Sequence, residues 1–214
     1  MSSGDEHQGD SWSAMTLPSD VAGTTTETVG FFEAPASTLA EWFVDSTASR
    51  WVASHSRWPD AASGYADLAP QPVLSQRAFV PVTGTWTALF TNGPLGTDVG
   101  VLPERAARDL RVRGIRAVHI ARGRVWPART LEVNSPSGAE SGVTSRVLYS
   151  TNDGGRWRFW NSGEPFTFEE SADYSQLRKS DRFNADTLSR CLRHLAVPID
   201  VEPDWRAALV VRKA

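Results

Sequence analysis

The chain is nearly without cysteine and nearly without lysine. Cys191 is the one cysteine in 214 residues, so no disulfide can close within the chain. With only four histidines scattered beside it, no zinc site of familiar spacing can be assembled. No stretch approaches the ~18 consecutive apolar residues that a membrane-spanning helix needs, which argues against a membrane partner. The N-terminus is acidic and polar rather than basic and then apolar, so it does not read as a secretory leader, and the expected location is cytoplasmic. The chemical signatures are missing too. There is no GxSxG elbow, no HExxH, no CxxC, no acidic calcium loop and no phosphate loop ending in Gly-Lys-Ser/Thr. No catalytic residue, metal ligand or cofactor is therefore assigned from sequence.

Of the 22 basic residues only Lys179 and Lys213 are lysine. That bias fits a high-G+C bacterial genome and warns against treating each arginine as chosen for its guanidinium. The net charge of −3 hides a strong asymmetry. Residues 1–30 carry Asp5, Glu6, Asp10, Asp20 and Glu27 and no Lys or Arg, whereas residues 105–129 carry eight Arg against Asp109 alone. Near-neutral overall charge argues against nucleic acid as the principal partner, while the Arg105–Arg129 region keeps such binding open as a further alternative. In it, Arg105, Arg108 and Arg111 recur at helical spacing.

What is present suffices for a core: 40% of residues are hydrophobic and 10% aromatic. At this length one domain is the default. Residues 1–26 are poor in large apolar groups and read as a disordered acidic tail, with Trp12, Met15 and Leu17 as a candidate short docking element. Residues 27–214 read as a single domain. Its expected elements run in order: a strand over 28–33, a helix from Pro35 to about Ala53, a long loop over 54–72, and strands over 73–82 and 85–91 forming a hairpin. A glycine loop over 92–100 and a helix over 103–113 follow, then strands over 115–121 and 128–134 and a loop over 135–142. A hairpin turning at Asn152–Gly155 comes next, since those residues tolerate positive φ. Beyond it lie a helix whose start is acidic and whose end is basic, a helix over 185–196, and a terminal strand or packing tail over 205–211. Leu188, Cys191, Leu192 and Leu195 make an amphipathic stripe on the helix over 185–196, and Asn184 is suited to cap it. Hairpins dominate and helices do not alternate regularly with strands. This predicts an α+β fold with a mainly antiparallel, hairpin-rich sheet and helices packed on one face.

Candidate sites follow from residue type. In the 152–155 hairpin, Trp157 and Phe159 share one face, and Arg156, Arg158 and Trp160 share the other. Arg and Trp concentrate binding energy at interfaces. With Glu164 and Glu169 in the Pro-broken exit, this face points to a protein partner, of the kind an immunity-type or accessory protein would have. The alternative is a polar or anionic small-molecule ligand, held by an enzyme or a binding protein at the Asn92–Gly100 loop. There Asn92, Gly93 and Gly96 precede a helix N-terminus, with Arg105 or His119 in support. The glycine spacing matches neither nucleotide fingerprint, and Asp98 would oppose an anion. Glu164, Glu169, Glu170 and Asp173 cluster where a helix start favours acid in any case. Cys191 and His194 lie one turn apart, but a buried stripe disfavours a reactive thiolate. Convergence of the glycine loop, His119 and the Glu164 segment on one cleft would point to an enzyme.

Overall fold

The computed structural model describes residues 12–22, 26–47, 50–121, 126–138 and 142–214. The elements in chain order are α1 (Pro18–Ala22), β1 (Thr26–Glu33), α2 (Ala36–Asp45), β2 (Trp51–His55), α3 (Ala61–Asp67), β3 (Gln76–Pro81), β4 (Trp86–Thr91), β5 (Gly96–Thr97), α4 (Leu102–Asp109), β6 (Gly114–Ile120), β7 (Ala128–Pro136), β8 (Val143–Asn152), β9 (Trp157–Ser162), α5 (Ser171–Tyr174), α6 (Ala185–His194) and β10 (Leu209–Lys213). A 3-10 turn, Trp205–Ala207, precedes β10. The strands form a ten-stranded sheet in the order β2-β10-β3-β4-β1-β6-β7-β8-β9, with β5 beside β1. Only the short β1–β5 pairing is parallel. The fold is thus α+β with a mainly antiparallel sheet.

Its helices occupy both faces, where one was expected. The reason lies in β1, whose TETVGFFE sequence is apolar at both parities. Val29 and Phe31 enter a large core with Trp12, Tyr65, Leu188, Leu192 and Trp205. Phe32 enters a second core with Leu39, Phe43, Phe79, Leu102 and Ala106. The strap over 12–17, α3 and α6 therefore lie on one side, and α2 and α4 on the other. No helix among the described residues is long and apolar enough to cross a membrane.

Several boundaries move for physical reasons. The apolar stripe of α2 ends at Phe43, and the hydroxyls of Ser46 and Thr47 donate to the Phe43 carbonyl, closing the helix eight residues before Ala53. The chain after it becomes β2, an edge strand paired with β10. The expected loop over 54–72 contains α3, capped by Asp60, whose carboxylate accepts from the Ser63 N–H. Gly64 obscures that helix in the sequence, yet the fold needs it: a Cβ there would lie 2.4 Å from the Trp205 ring. α4 stops at Asp109, and Arg111 follows with φ 58°. The helix expected to follow the acidic segment is only the short α5, and irregular chain runs from there to Phe183. α6 forms as its stripe requires, with Asn184 accepting from the Thr187 N–H.

Of the segment expected to be disordered, residues 12–22 are described and include α1, while residues 1–11 and 23–25 lie outside the described residues. Trp12, Met15 and Leu17 are all buried in the large core, so the short docking element is realised.

Candidate functional site

The strand alternation of β3 sends Ala78 and Val80 into the large core and Phe79 into the second one. Arg77 shares the parity of Phe79 and faces the same side as α2. Two residues nearer the strand's start than Phe79, it lies where α2 has already ended. Its guanidinium is 4.4 Å from the Phe43 ring centroid and 4.7 Å from that of Trp51. Those two rings meet edge to face at 5.2 Å. Trp51 comes from β2 and Phe43 from α2, so three separate elements converge on one cation.

Arg77 opens onto a cleft of about 550 Å³. Trp51, Leu74, Gly93, Pro94 and the segment from Asp98 to Leu102 line it. Arg105 reaches in from α4, over the Trp42 ring at 5.6 Å and donating to the Ser46 carbonyl at 3.4 Å. The Nε and Nη1 groups of Arg77 are buried and meet no acceptor among the described residues, and Asp98, the acid in the cleft lining, lies 3.6 Å from Arg116 instead. Burial, reinforced by Arg105, pulls its guanidinium down to about 10, so it remains charged at neutral pH. A desolvated cation with unmet donors costs free energy unless an acceptor fills the site. The arrangement can therefore recognise an anionic group.

The glycine loop supplies a wall of this cleft rather than an anion cradle. Asn92 is fully buried. Its Oδ1 accepts from the Ser75 and Gln76 N–H groups, and its Nδ2 donates to Ser75 Oγ. Gly96 N–H donates to the Gly93 carbonyl, Asp98 N–H to Thr91 Oγ1 and Gly100 N–H to Asp98 Oδ1. Gly93 and Gly96 are needed for the turn itself: a Cβ on Gly93 would stand 2.5 Å from the Gly96 carbonyl oxygen, and Gly96 has φ 124°. Pro103 at the start of α4 removes one more donor. Local hydrogen bonds thus consume most of the amides that the sequence pattern offered.

His119 lies on the opposite face, buried beside Glu27 with Nδ1 3.6 Å from Oε2. It is one strand from the loop, since Glu27 pairs with Thr97 of β5, but it does not line the cleft. Nor does the hairpin exit. Glu164 is exposed, whereas the Glu169 side chain is only 2% exposed and pairs with an equally buried Arg146. Glu169 is an internal clamp, not an interface residue. Arg156 is exposed, Arg158 pairs with Asp153 at 2.9 Å in solvent, and Trp160 lies against Tyr149 with ring centroids 5.5 Å apart. Within β9 the alternation places Phe159 towards the large core and Trp160 the other way, while Arg156 precedes the strand.

The arginines after Arg105 are tied to separate partners. Arg108 pairs with Asp109, Arg113 with Glu33 and Arg116 with Asp98. Arg111 donates to the Ser137 and Gly142 carbonyls. Only Arg105 and Arg108 of the expected stripe sit on α4; Arg122 and Arg124 lie outside the described residues. Cys191 is buried, and burial pushes its thiol up to about 12. His194 stacks on Phe168 at 4.8 Å. Among the described residues no group of three or more His, Cys, Asp or Glu is placed to hold a metal.

Arg77 escaped the sequence reading, although one signal was there. A cation at the same parity as Phe79, in a strand with apolar residues on both faces, marks a buried charge that needs a reason. No family model matches the chain, and neither a curated protein nor a solved structure matches it.

Proposed function

We propose that the protein acts by binding a small ligand through an anionic group held in the Arg77 cleft. One observation carries this reading: the half-buried, aromatic-flanked guanidinium of Arg77 opens onto a cleft whose one acid, Asp98, lies against Arg116 instead. Arg105 supports it with a second positive charge on the same cleft. A ligand that binds only the folded state raises the melting temperature with concentration. Differential scanning fluorimetry against a panel of organic and inorganic anions is expected to show such a rise, and Arg77→Met to abolish it. Arg77→Met preserves the stacking volume and removes the charge, so its own melting temperature should stay near that of the parent. A panel with no stabilising anion would remove this reading.

A second reading, a protein partner on the outer hairpin, is favoured by Trp160 at 47% and Trp126 at 61% exposure beside Arg156 and Arg158. Trp160→Ala is then expected to abolish capture of a stoichiometric partner from the native host, while leaving stability within about 0.5 kcal/mol. Capture that survives Trp160→Ala would place the partner elsewhere.

A further inference from the structure

We infer that the ligand of the Arg77 cleft is an amphipathic monocarboxylate, its carboxylate on the guanidinium edge of Arg77 and its apolar body along Leu74, Pro94, Val99, Val101 and Leu102. This rests on the anion-binding reading of the same cleft and narrows it by three independent observations.

The first is charge. The lining carries Arg77, Arg105 and Asp98, a net of one positive charge. Asp98 belongs to the same lining and repels any second negative charge brought into it. One negative charge on the ligand balances the cleft; a phosphate dianion overshoots it. The second is geometry. Phe43 and Trp51 flank the guanidinium at 4.4 and 4.7 Å, and Nε and Nη1 are closed off, which leaves Nη2 as the donor for the ligand. A small, flat carboxylate can bring one oxygen to such a narrow opening and accept a charge-assisted hydrogen bond there. A phosphate also offers a third oxygen and usually meets it with loop amides. Here Gly96, Asp98 and Gly100 have already committed theirs, and Pro103 has none. The third is polarity. Away from the arginines the lining is mainly apolar, and Val101 is 63% exposed at its edge. An apolar body would cover that surface.

Burying a methylene strengthens binding by about fourfold, so chain length gives the test its resolution. Isothermal titration calorimetry at constant ionic strength, with acetate, octanoate, benzoate, phenyl phosphate and inorganic phosphate, separates the possibilities. Octanoate and benzoate are expected to bind at least about tenfold more tightly than acetate, which corresponds to two buried methylenes. They should also bind more tightly than either phosphate. Arg77→Met should weaken octanoate by at least about tenfold, the loss of a charge-assisted pair, and Arg105→Gln by less. Phosphates that bind as tightly as octanoate would overturn the monocarboxylate assignment and leave anion binding standing. Octanoate binding unchanged in Arg77→Met would also overturn it, since the acid would then adsorb elsewhere. An absence of binding by all five would overturn both readings together.

Discussion

Arg146→Met is expected to lower the unfolding free energy by about 3–5 kcal/mol at neutral pH, the usual cost of leaving one member of a buried ion pair alone. The pair is unusually enclosed, with side-chain exposures of 3% for Arg146 and 2% for Glu169. Arg146 Nε and Nη2 donate to the two oxygens of Glu169, and Nη1 donates to Asn161 Oδ1 and to the carbonyls of Ser162 and Gly163. The Tyr174 hydroxyl and the Phe166 N–H donate to Glu169 as well. These bonds fasten the irregular exit after β9 back onto β8. Gly163 completes the fastening: it has φ 82°, and a Cβ there would sit 2.0 Å from the Ser145 carbonyl oxygen.

The pH dependence gives this prediction its sign. Burial alone would raise the Glu169 carboxyl, but Arg146, Tyr174 and the Phe166 N–H outweigh it and hold it below its ordinary value of 4.5. A depressed carboxyl contributes stability above its unfolded pKa and loses it as the pH falls through the folded one. The parent should therefore weaken in acid, below about pH 4.5. In Arg146→Met burial dominates and the carboxyl rises, so the penalty should grow as the pH rises through the carboxylate range. Urea unfolding at pH 7 and pH 4 is expected to show the larger gap between the two proteins at pH 7. The double variant Arg146→Met/Glu169→Leu should recover more than half of the loss, because no buried charge remains. A gap independent of pH would show that packing, not the ion pair, carries the effect.

Trp12→Ala should cost a comparable ~3–5 kcal/mol, as large aromatic truncations in a core do. Trp12 is 1% exposed and meets Phe31 edge to face at 6.4 Å. The strap around it is bonded at each step. Ser189 Oγ donates to the Trp12 carbonyl, the Ala14 N–H to the Ile199 carbonyl and the Tyr65 hydroxyl to the Thr16 carbonyl, while Glu202 accepts from the Thr16 N–H. These partners belong to α3, α6 and the chain after α6, so the strap joins parts of the fold that are remote in sequence. The expected result is a clear drop in chemical-denaturation midpoint. A change below about 1 kcal/mol would mean that the strap rides on the core without supporting it.

Local pattern carried a good part of this architecture. The β3–β4 and β8–β9 hairpins follow from alternation and turn residues, and α6 from its Leu/Cys stripe and Asn184 cap. Neighbour relations that cross long stretches of chain were not legible. β2 has an unremarkable WVASH sequence, and only its pairing with β10 makes it a strand. Trp12 sits in a polar, acidic context, and its burial depends on a groove built from residues far away. The candidate site suffered in the same way. Gly93 and Arg105 do border the cleft, though Gly96 does not, because a glycine loop before a helix is a local signal. Arg77, Phe43 and Trp51 come from three elements, and no local pattern announces that they meet.

The placement of β10 between β2 and β3 also bears on when the cleft exists. Ser54 of β2 contacts Val210 across 156 residues of chain. At ordinary rates of synthesis a ribosome needs roughly 10–30 s to cover that distance. Through that interval β2 has no strand to lie against, and Trp51 has no fixed place beside Arg77. The nascent chain therefore carries an uncovered strand and an incomplete site long after most of the sheet has been made. The proposed ligand site is complete only late in synthesis, with the arrival of Leu209–Lys213.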